Sequence, residues 1–411
     1  MNSPWRLEVC LHGDRVGTIT RFGSDQTAFA FDEAYINAVH RPTLGLGFKN
    51  LKGDLITRFP NVSSRLMPFF SNLLPEGALR EYLARQAGVK PHREFFLLHA
   101  LGQDLPGAVT VRGIEDGAGE GDLQQRKNVI REHDDVIFRF SLAGVQLKFS
   151  ALAEPLGGLT IPAHGWGGSW IVKLPSMQFE GLPENEFSMM QLAKSVGISV
   201  PDMALVDITR IEGLPEGITA GGALKGNALA LKRFDRGEDG RAIHMEDFAQ
   251  VFGVYPEDKY KKANARNIAH VLSTEATQQD VAEFIRRLTF NALIGNADMH
   301  LKNWSVIYPD RQRPRIAPAY DLVSTIAFLS DDQQALKVSR SKRFRDFSIL
   351  ELRHLARKAS LDESLVLATA KETVEAFYHH WHAHKNHWPL SKACVDVIDT
   401  HIQSVPIGHE F

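Results

Sequence analysis

Apolar residues change their period once along this 411-residue chain, near Asp235. Before that point they alternate or run in short blocks. Leu7, Val9 and Leu11 alternate with polar neighbours ahead of a Gly13-Asp14 turn, and residues 109–111, 169–174 and 228–234 read as further strands. One helix interrupts this half, over residues 183–196, stopped by Gly197. After Asp235, Val281, Phe284, Ile285 and Leu288 keep the i, i+3, i+4, i+7 spacing of one apolar helix face, and residues 347–377 read as helical too. A strand-rich half followed by an all-α half predicts an α+β chain of two lobes with a cleft between them.

Residues 113–127 are rich in Gly, Glu and Gln and poor in apolar side chains, the composition of an exposed linker. The expected division is an α/β subdomain over 1–128, a strand-rich lobe over 129–235 and an all-α lobe over 236–411. A chain this long can bury more than one core. An apolar content of 44% with 23% charged residues excludes intrinsic disorder. Cys10 and Cys394 are too few for a Cys-rich zinc site or a disulfide scaffold, and fit a reducing compartment. The first eight residues lack the apolar stretch of a signal peptide, and no apolar run approaches the roughly 20 residues that span a bilayer. The expectation is a soluble, cytoplasmic protein without a membrane partner. A net charge of −2 excludes a uniformly basic nucleic-acid binder, so any such contact would need a local patch.

The chemistry concentrates in Ile294-Gly295-Asn296-Ala297-Asp298-Met299-His300-Leu301-Lys302-Asn303, directly after the amphipathic helix. An Asp followed five positions later by Asn is the spacing of a kinase catalytic loop. The Asp accepts the proton of an attacking hydroxyl and the Asn ligates Mg²⁺. Alone, the pattern is common, and an Asp there can simply cap a helix. Asp321, after the short apolar stretch from Ile316, stands where a second metal-binding carboxylate is needed. One Asp, one Asn and phosphate oxygens suffice for Mg²⁺. Upstream, strand-borne Lys173 suits a phosphate-pairing lysine, and Glu186 on the following helix suits its ion-pair partner. Phe140-Ser141-Leu142-Ala143-Gly144-Val145-Gln146-Leu147-Lys148 could cover the phosphates, although its single Gly departs from G-x-G-x-x-G. No G-x-x-x-x-G-K-[ST] occurs, which excludes a P-loop NTPase. Each piece is ordinary by itself; the order loop, Lys, Glu, Asp-x₄-Asn, Asp is that of a kinase.

In that order the chain resembles the HipA family of serine/threonine kinases, toxin components of bacterial HipBA toxin–antitoxin modules. The resemblance spans nearly the whole chain. Its carriers are Asn72-Leu73-Leu74-Pro75-Glu76-Gly77, Gly107-Ala108-Val109, the segment from Ser141 to Lys148, Ile171-Val172-Lys173-Leu174-Pro175, Asn185-Glu186, Lys232-Arg233-Phe234-Asp235-Arg236, His244-Met245-Glu246-Asp247-Phe248, the loop from Gly295 to Asn303, and Tyr320-Asp321. It implies a two-lobed, protein-kinase-like fold with ATP in the cleft, and ATP and Mg²⁺ as cofactors. It implies Asp298 as the catalytic residue, Asn303 and Asp321 as Mg²⁺ ligands, and Lys173 on the ATP phosphates with Glu186 as its partner. Ala143, Gly144 and Val145 would lie over the phosphates, and Lys232 to Phe234 would form the hinge against adenine. Tyr320 would pack near the nucleotide, and Ser141 would be autophosphorylated. One position departs: where the family often has Gln, Met245 cannot donate a hydrogen bond to the nucleotide.

The resemblance further implies a toxin that phosphorylates a serine on a host protein and inhibits growth, leading to persistence. Aminoacyl-tRNA synthetases are among the targets of family members. It also implies a HipB-type helix-turn-helix antitoxin as partner, and operator DNA reached only through it. Two other readings stay open: a small-molecule or lipid phosphotransferase of related fold, and a catalytically idle co-repressor. The Asn72-to-Gly77 motif favours the first reading over the phosphotransferase. Intact Lys173, Asp298, Asn303 and Asp321 argue against idleness. His379, His380, His382, His384 and His387 crowd one helix, but without His-Glu-x-x-His they read as a solvated face. Two basic runs, around Lys259 to Arg266 and Lys337 to Arg345, usually mean solvated surface. One could touch DNA phosphates beside a base-reading partner, or dock an acidic protein substrate. No recognition helix, zinc finger or basic zipper is evident, so the chain should not read DNA sequence alone.

Overall fold

A computed structural model of the chain describes residues 5–23, 25–114, 148–153, 158–161, 168–214, 224–330 and 332–411. The alternation at the N-terminus makes β1 (Trp5–Leu11), whose Leu7, Val9 and Leu11 are fully buried. It lies between β2 (Asp14–Arg21) and β5 (Val109–Gly113) in a five-stranded antiparallel sheet of order β4-β3-β2-β1-β5, with β3 at Gln26–Phe31 and β4 at Val62–Ser63. Helices α1 (Glu33–Asn37), α2 (Pro68–Ser71), α3 (Gly77–Gln86) and α4 (Glu94–Leu101) belong to this module. Its core is aromatic. Phe29 meets Phe31 at 4.8 Å and Phe70 at 4.9 Å, edge to face, the geometry that aligns positive ring edges with negative faces.

A second sheet of six strands runs β10-β7-β6-β8-β11-β9, comprising β6 (Lys148–Ala153), β7 (Leu159–Thr160), β8 (Trp170–Lys173), β9 (Met203–Asp207), β10 (Ile211–Glu212) and β11 (Asn227–Lys232). The helix expected over 183–196 is α5 (Leu182–Ser195), and Gly197 beyond it has φ +86°. Met189, Met190, Leu192 and Ala193 of α5 are buried in the same core as the helices of the second half, so this helix joins the two lobes.

The second half holds α6 (Phe248–Val251), α7 (Ala265–Glu275), α8 (Gln278–Leu293), α9 (Ile349–Ala359), α10 (Glu363–His384) and α11 (Lys392–Ser404). Helix α8 starts at a capping box: the Thr277 hydroxyl accepts from the Asp280 N–H, and the Asp280 carboxylate accepts from the Thr277 N–H. The expected stripe of Val281, Phe284, Ile285 and Leu288 is buried. Emptying one fully buried site such as Phe290 by Phe290→Ala would cost about 3–5 kcal/mol. The expectation of an all-α second half needs an amendment. β12 (His244–Asp247), β13 (Ser305–Tyr308) and β14 (Arg315–Ile316) form a small antiparallel sheet there. Strands of two to four residues are too short to show a period. The helical stretch expected over 347–377 is also two helices, parted by Ser360 at φ +57°. Among the described residues no helix is long and apolar enough to cross a membrane.

Candidate active site

Helix α8 stops where Ile294 caps it and Gly295 turns left-handed at φ +66°. A Cβ on Gly295 would lie 2.4 Å from Ile326 Cδ1, so only glycine fits. Asn296 then ties three segments together. Its amide donates to Asn291 Oδ1 at 2.8 Å and to the Asp321 carbonyl at 3.1 Å, and its Oδ1 accepts from the Asp298 N–H at 3.0 Å. Asp298 and Asp321, 23 positions apart in the sequence, are thereby set side by side. Asn303 closes the loop by donating from Nδ2 to the Asp298 carbonyl at 2.9 Å, which leaves Oδ1 as its ligating atom. Asp321 sits at φ +55°, in the left-handed region that a side chain ordinarily avoids at a cost of about 1–2 kcal/mol. Such strain persists where surrounding structure enforces it, commonly at functional sites.

Across the cleft, Lys173 ends β8 and is buried. Its Nζ donates to Glu186 Oε1 on α5 at 2.5 Å and also to Asp321 Oδ1. Burial opposes its charge, but the two carboxylates outweigh it and hold the ammonium protonated. Burial likewise pushes the Asp321 carboxyl up, yet Lys173 and then Lys148 bring it down to about 2, so it is ionised at neutral pH. Asp298 is different. Burial raises its pKa, and the Tyr260 hydroxyl, donating at 2.6 Å, offsets only part of that rise. A carboxylate raised above its ordinary range is better placed to accept a proton. His300 packs edge-on against Tyr260 at 4.9 Å, and burial, with Lys259, pushes its pKa down to about 3, leaving a neutral imidazole.

The N-terminal module enters the site through the Asn72-to-Gly77 motif. Glu76 takes Lys302 at 2.7 Å and Lys259 at 2.9 Å, and Lys302 also donates to the Asn72 carbonyl at 3.1 Å. Burial would raise the Glu76 pKa; Lys302 and Lys259 bring it down to about 2. The same module grips the connection between the lobes. Asp104 accepts from Arg233 at 2.9 Å and Arg236 at 2.8 Å; both arginines also bind Asp235, which accepts the Gly107 N–H at 2.8 Å.

Of the hinge residues expected from sequence, Phe234 stacks on Tyr320 at 5.8 Å, and Tyr320 donates to the Lys302 carbonyl at 2.8 Å. The Lys232 ammonium pairs with Glu238 at 2.5 Å, and its N–H donates to the Asp202 carbonyl at 2.8 Å. The Arg233 N–H donates to the Ser169 carbonyl at 2.8 Å. Met245 lies on β12. Ser141, Ala143, Gly144 and Val145 lie outside the described residues. Along α10 the His380 and His384 rings lie parallel at 6.1 Å, and among the described residues no group of three His, Cys, Asp or Glu side chains could hold a metal.

Tyr260, His300, Asn296 and Glu76 were not singled out by sequence reasoning as site residues. His300 and Asn296 had a signal, since they flank Asp298 in the loop. Tyr260 had none beyond its place in a basic run. Chemically, Asn303 Oδ1 and the ionised Asp321 carboxylate are hard oxygen donors, and a set of two fits Mg²⁺, which takes its other ligands from water and phosphate. Lys173 supplies a fixed positive charge beside them, and Asp298 a carboxylate that can take a proton.

The HipA-like C-terminal domain model matches residues 140–381, and the HipA N-terminal domain model matches residues 7–112. The chain is 55% identical over 408 residues to the "Putative kinase Y4dM" of Sinorhizobium fredii, across 98% of each protein. It is 29% identical over 327 residues to the "Serine/threonine-protein kinase toxin HipA" of Shewanella oneidensis, across 70% of this chain and 69% of that one. A chain in the solved Shewanella oneidensis complex of HipA, HipB and operator DNA superposes with a TM-score of 0.70 at 21% identity, covering 97% of this chain and 95% of that one. At that identity the likeness is one of fold, α+β and two-lobed.

Proposed function

The chain belongs to the HipA family, and from that premise we propose that it is an ATP- and Mg²⁺-dependent protein serine/threonine kinase. The observation that carries this reading is the Asn296 junction, which bonds the Asp298 N–H and the Asp321 carbonyl, opposite the Lys173–Glu186 pair. Lys173 binds the triphosphate, and Phe234 with Tyr320 holds the base. Asn303 and Asp321 would hold Mg²⁺, which would supply charge to neutralise the phosphates. Asp298 orients the substrate hydroxyl and takes its proton as the serine oxygen bonds to the γ-phosphorus and the bond to the β-phosphate oxygen breaks. Tyr260 holds the Asp298 carboxylate in place. Glu76 and Asn72 fix the Lys302 side chain, and with it the loop between Asp298 and Asn303.

In this reading the protein acts in the cytoplasm as the toxin of a toxin–antitoxin module. It phosphorylates a serine on a host protein, with aminoacyl-tRNA synthetases as the first class to test, and Ser141 is its own slow target. A HipB-type antitoxin is its partner, and operator DNA is reached through that partner. The deciding experiment is phosphate transfer from labelled Mg-ATP by the pure protein, with mass spectrometry of its own serines. Asp298→Ala should lower transfer by about 10²–10⁴-fold and leave thermal unfolding unchanged. Wild-type protein that binds ATP but never transfers phosphate would favour the idle co-repressor instead.

A further inference from the structure

The two basic runs converge on one surface. The Ala265 N–H donates to the Lys337 carbonyl at 2.9 Å, and Lys342 Nζ bridges the carbonyls of Ala335 at 2.6 Å and Tyr260 at 3.4 Å. Residues 258–266 and 331–346 together carry nine Lys or Arg against four Asp, in a chain whose net charge is −2. Positive charge is therefore segregated here. Some of it is used internally: Lys259 pairs with Glu76 and Arg340 with Glu351. Lys261, Lys337, Arg343 and Arg345 are exposed, and have no carboxylate partner among the described residues.

This surface adjoins the chemistry. Tyr260 belongs to the first run, its carbonyl receives Lys342, and its hydroxyl holds Asp298. A serine presented to Asp298 as part of an extended chain, advancing about 3.3 Å per residue, has its nearest flanking residues within reach of Tyr260 and the basic run around it. A duplex seated on the same surface would cover that approach. We propose that this surface docks an acidic segment flanking the target serine of the protein substrate. The proposal rests on the kinase reading and adds to it the substrate's charge.

The test uses the full chain and three labelled probes: a serine peptide flanked by Asp and Glu, the same peptide with Asn and Gln instead, and a short duplex DNA. Binding is followed by fluorescence polarisation over a salt series, without nucleotide. The acidic peptide should bind wild type and weaken with added salt. Its affinity should fall about tenfold or more in the triple variant Lys261→Glu, Arg343→Glu, Arg345→Glu, and likewise when its acids are made neutral. The variant should keep the wild-type melting temperature and basal ATP turnover. Equal affinity for the two peptides, or an unchanged affinity in the variant, would overturn the proposal. So would duplex DNA that outcompetes the acidic peptide and is itself lost in the variant. Wild-type protein that binds the acidic peptide in this charge-dependent way but turns over no ATP would uphold the docking surface and sink the kinase reading.

Discussion

The Tyr260 hydroxyl donates to Asp298 Oδ1 at 2.6 Å. That bond opposes the rise in pKa which burial imposes on Asp298. A base works only when deprotonated, so the acid limb of the pH–rate profile follows its pKa. Tyr260→Phe removes the donor, the Asp298 pKa climbs further, and the acid limb of kcat/KM should move to higher pH. The alkaline side should change less. An acid limb that stays where it was would remove Asp298 from the role of base.

Lys173 is the main influence holding Asp321 ionised. Lys173→Met leaves Glu186 and Asp321 with Lys148 as their remaining cation and no ammonium bonded to both, and breaking such a buried pair costs about 3–5 kcal/mol. Stability should fall by that order, and ATP should no longer raise the melting temperature. Adding Glu186→Met should restore much of the stability but none of the ATP effect. Recovery of ATP protection in the double variant would show that Lys173 is structural only.

Glu76 makes stability depend on pH in the acid range. Its pKa is about 2 in the fold against an ordinary value of 4.5, so the unfolded chain binds the extra proton. The stabilisation is complete above pH 4.5 and is lost as pH falls toward 2. Allowing for partial exposure, it is worth about 2 kcal/mol. Glu76→Gln should melt earlier at neutral pH and lose less on acidification. Parallel melting curves for the two proteins from pH 6 to pH 3 would refute the lysine clamp.

Glu246 works in the opposite sense. Burial pushes its pKa up to about 7, although it accepts from the Leu46 N–H at 2.8 Å and from the Tyr308 hydroxyl. Between 4.5 and about 7 the folded chain binds the extra proton, so this group lowers stability as pH rises. Glu246→Gln keeps an acceptor for both donors and abolishes the titration. The loss of melting temperature from about pH 5 to pH 8 should shrink in the variant. An equal loss in both proteins would place the effect elsewhere.

The site was legible in the sequence where its parts are close together. The loop from Gly295 to Asn303 carries its own spacing, and Lys173 and Glu186 stand 13 positions apart on a strand and the next helix. Asp321 followed because its place in the order is fixed. Tyr260 was hidden, since a tyrosine among lysines has no periodicity to mark it and gains its role by folding against Asp298. Lys232 shows what a motif leaves out: it named the segment, but not that the ammonium pairs with Glu238 and the N–H with the Asp202 carbonyl. The small sheet of β12, β13 and β14 escaped because its strands are too short to set a period.

The bonds between the N-terminal module and the rest of the cleft join partners far apart in sequence. Gly107 and Asp235 are 128 positions apart, Leu46 and Glu246 200, and Asn72 and Lys302 230. Topologies dominated by such distant pairings fold slowly, because long loops must close before any contact rewards them. Translation adds its own delay. At about 5–20 residues per second, Asn72 waits roughly ten to fifty seconds for Lys302 to be made. A nascent chain has the lysine strand and its helix before the loop from Gly295 to Asn303 has a partner. The proposed active site therefore waits on the N-terminal module closing over a loop made more than two hundred residues later.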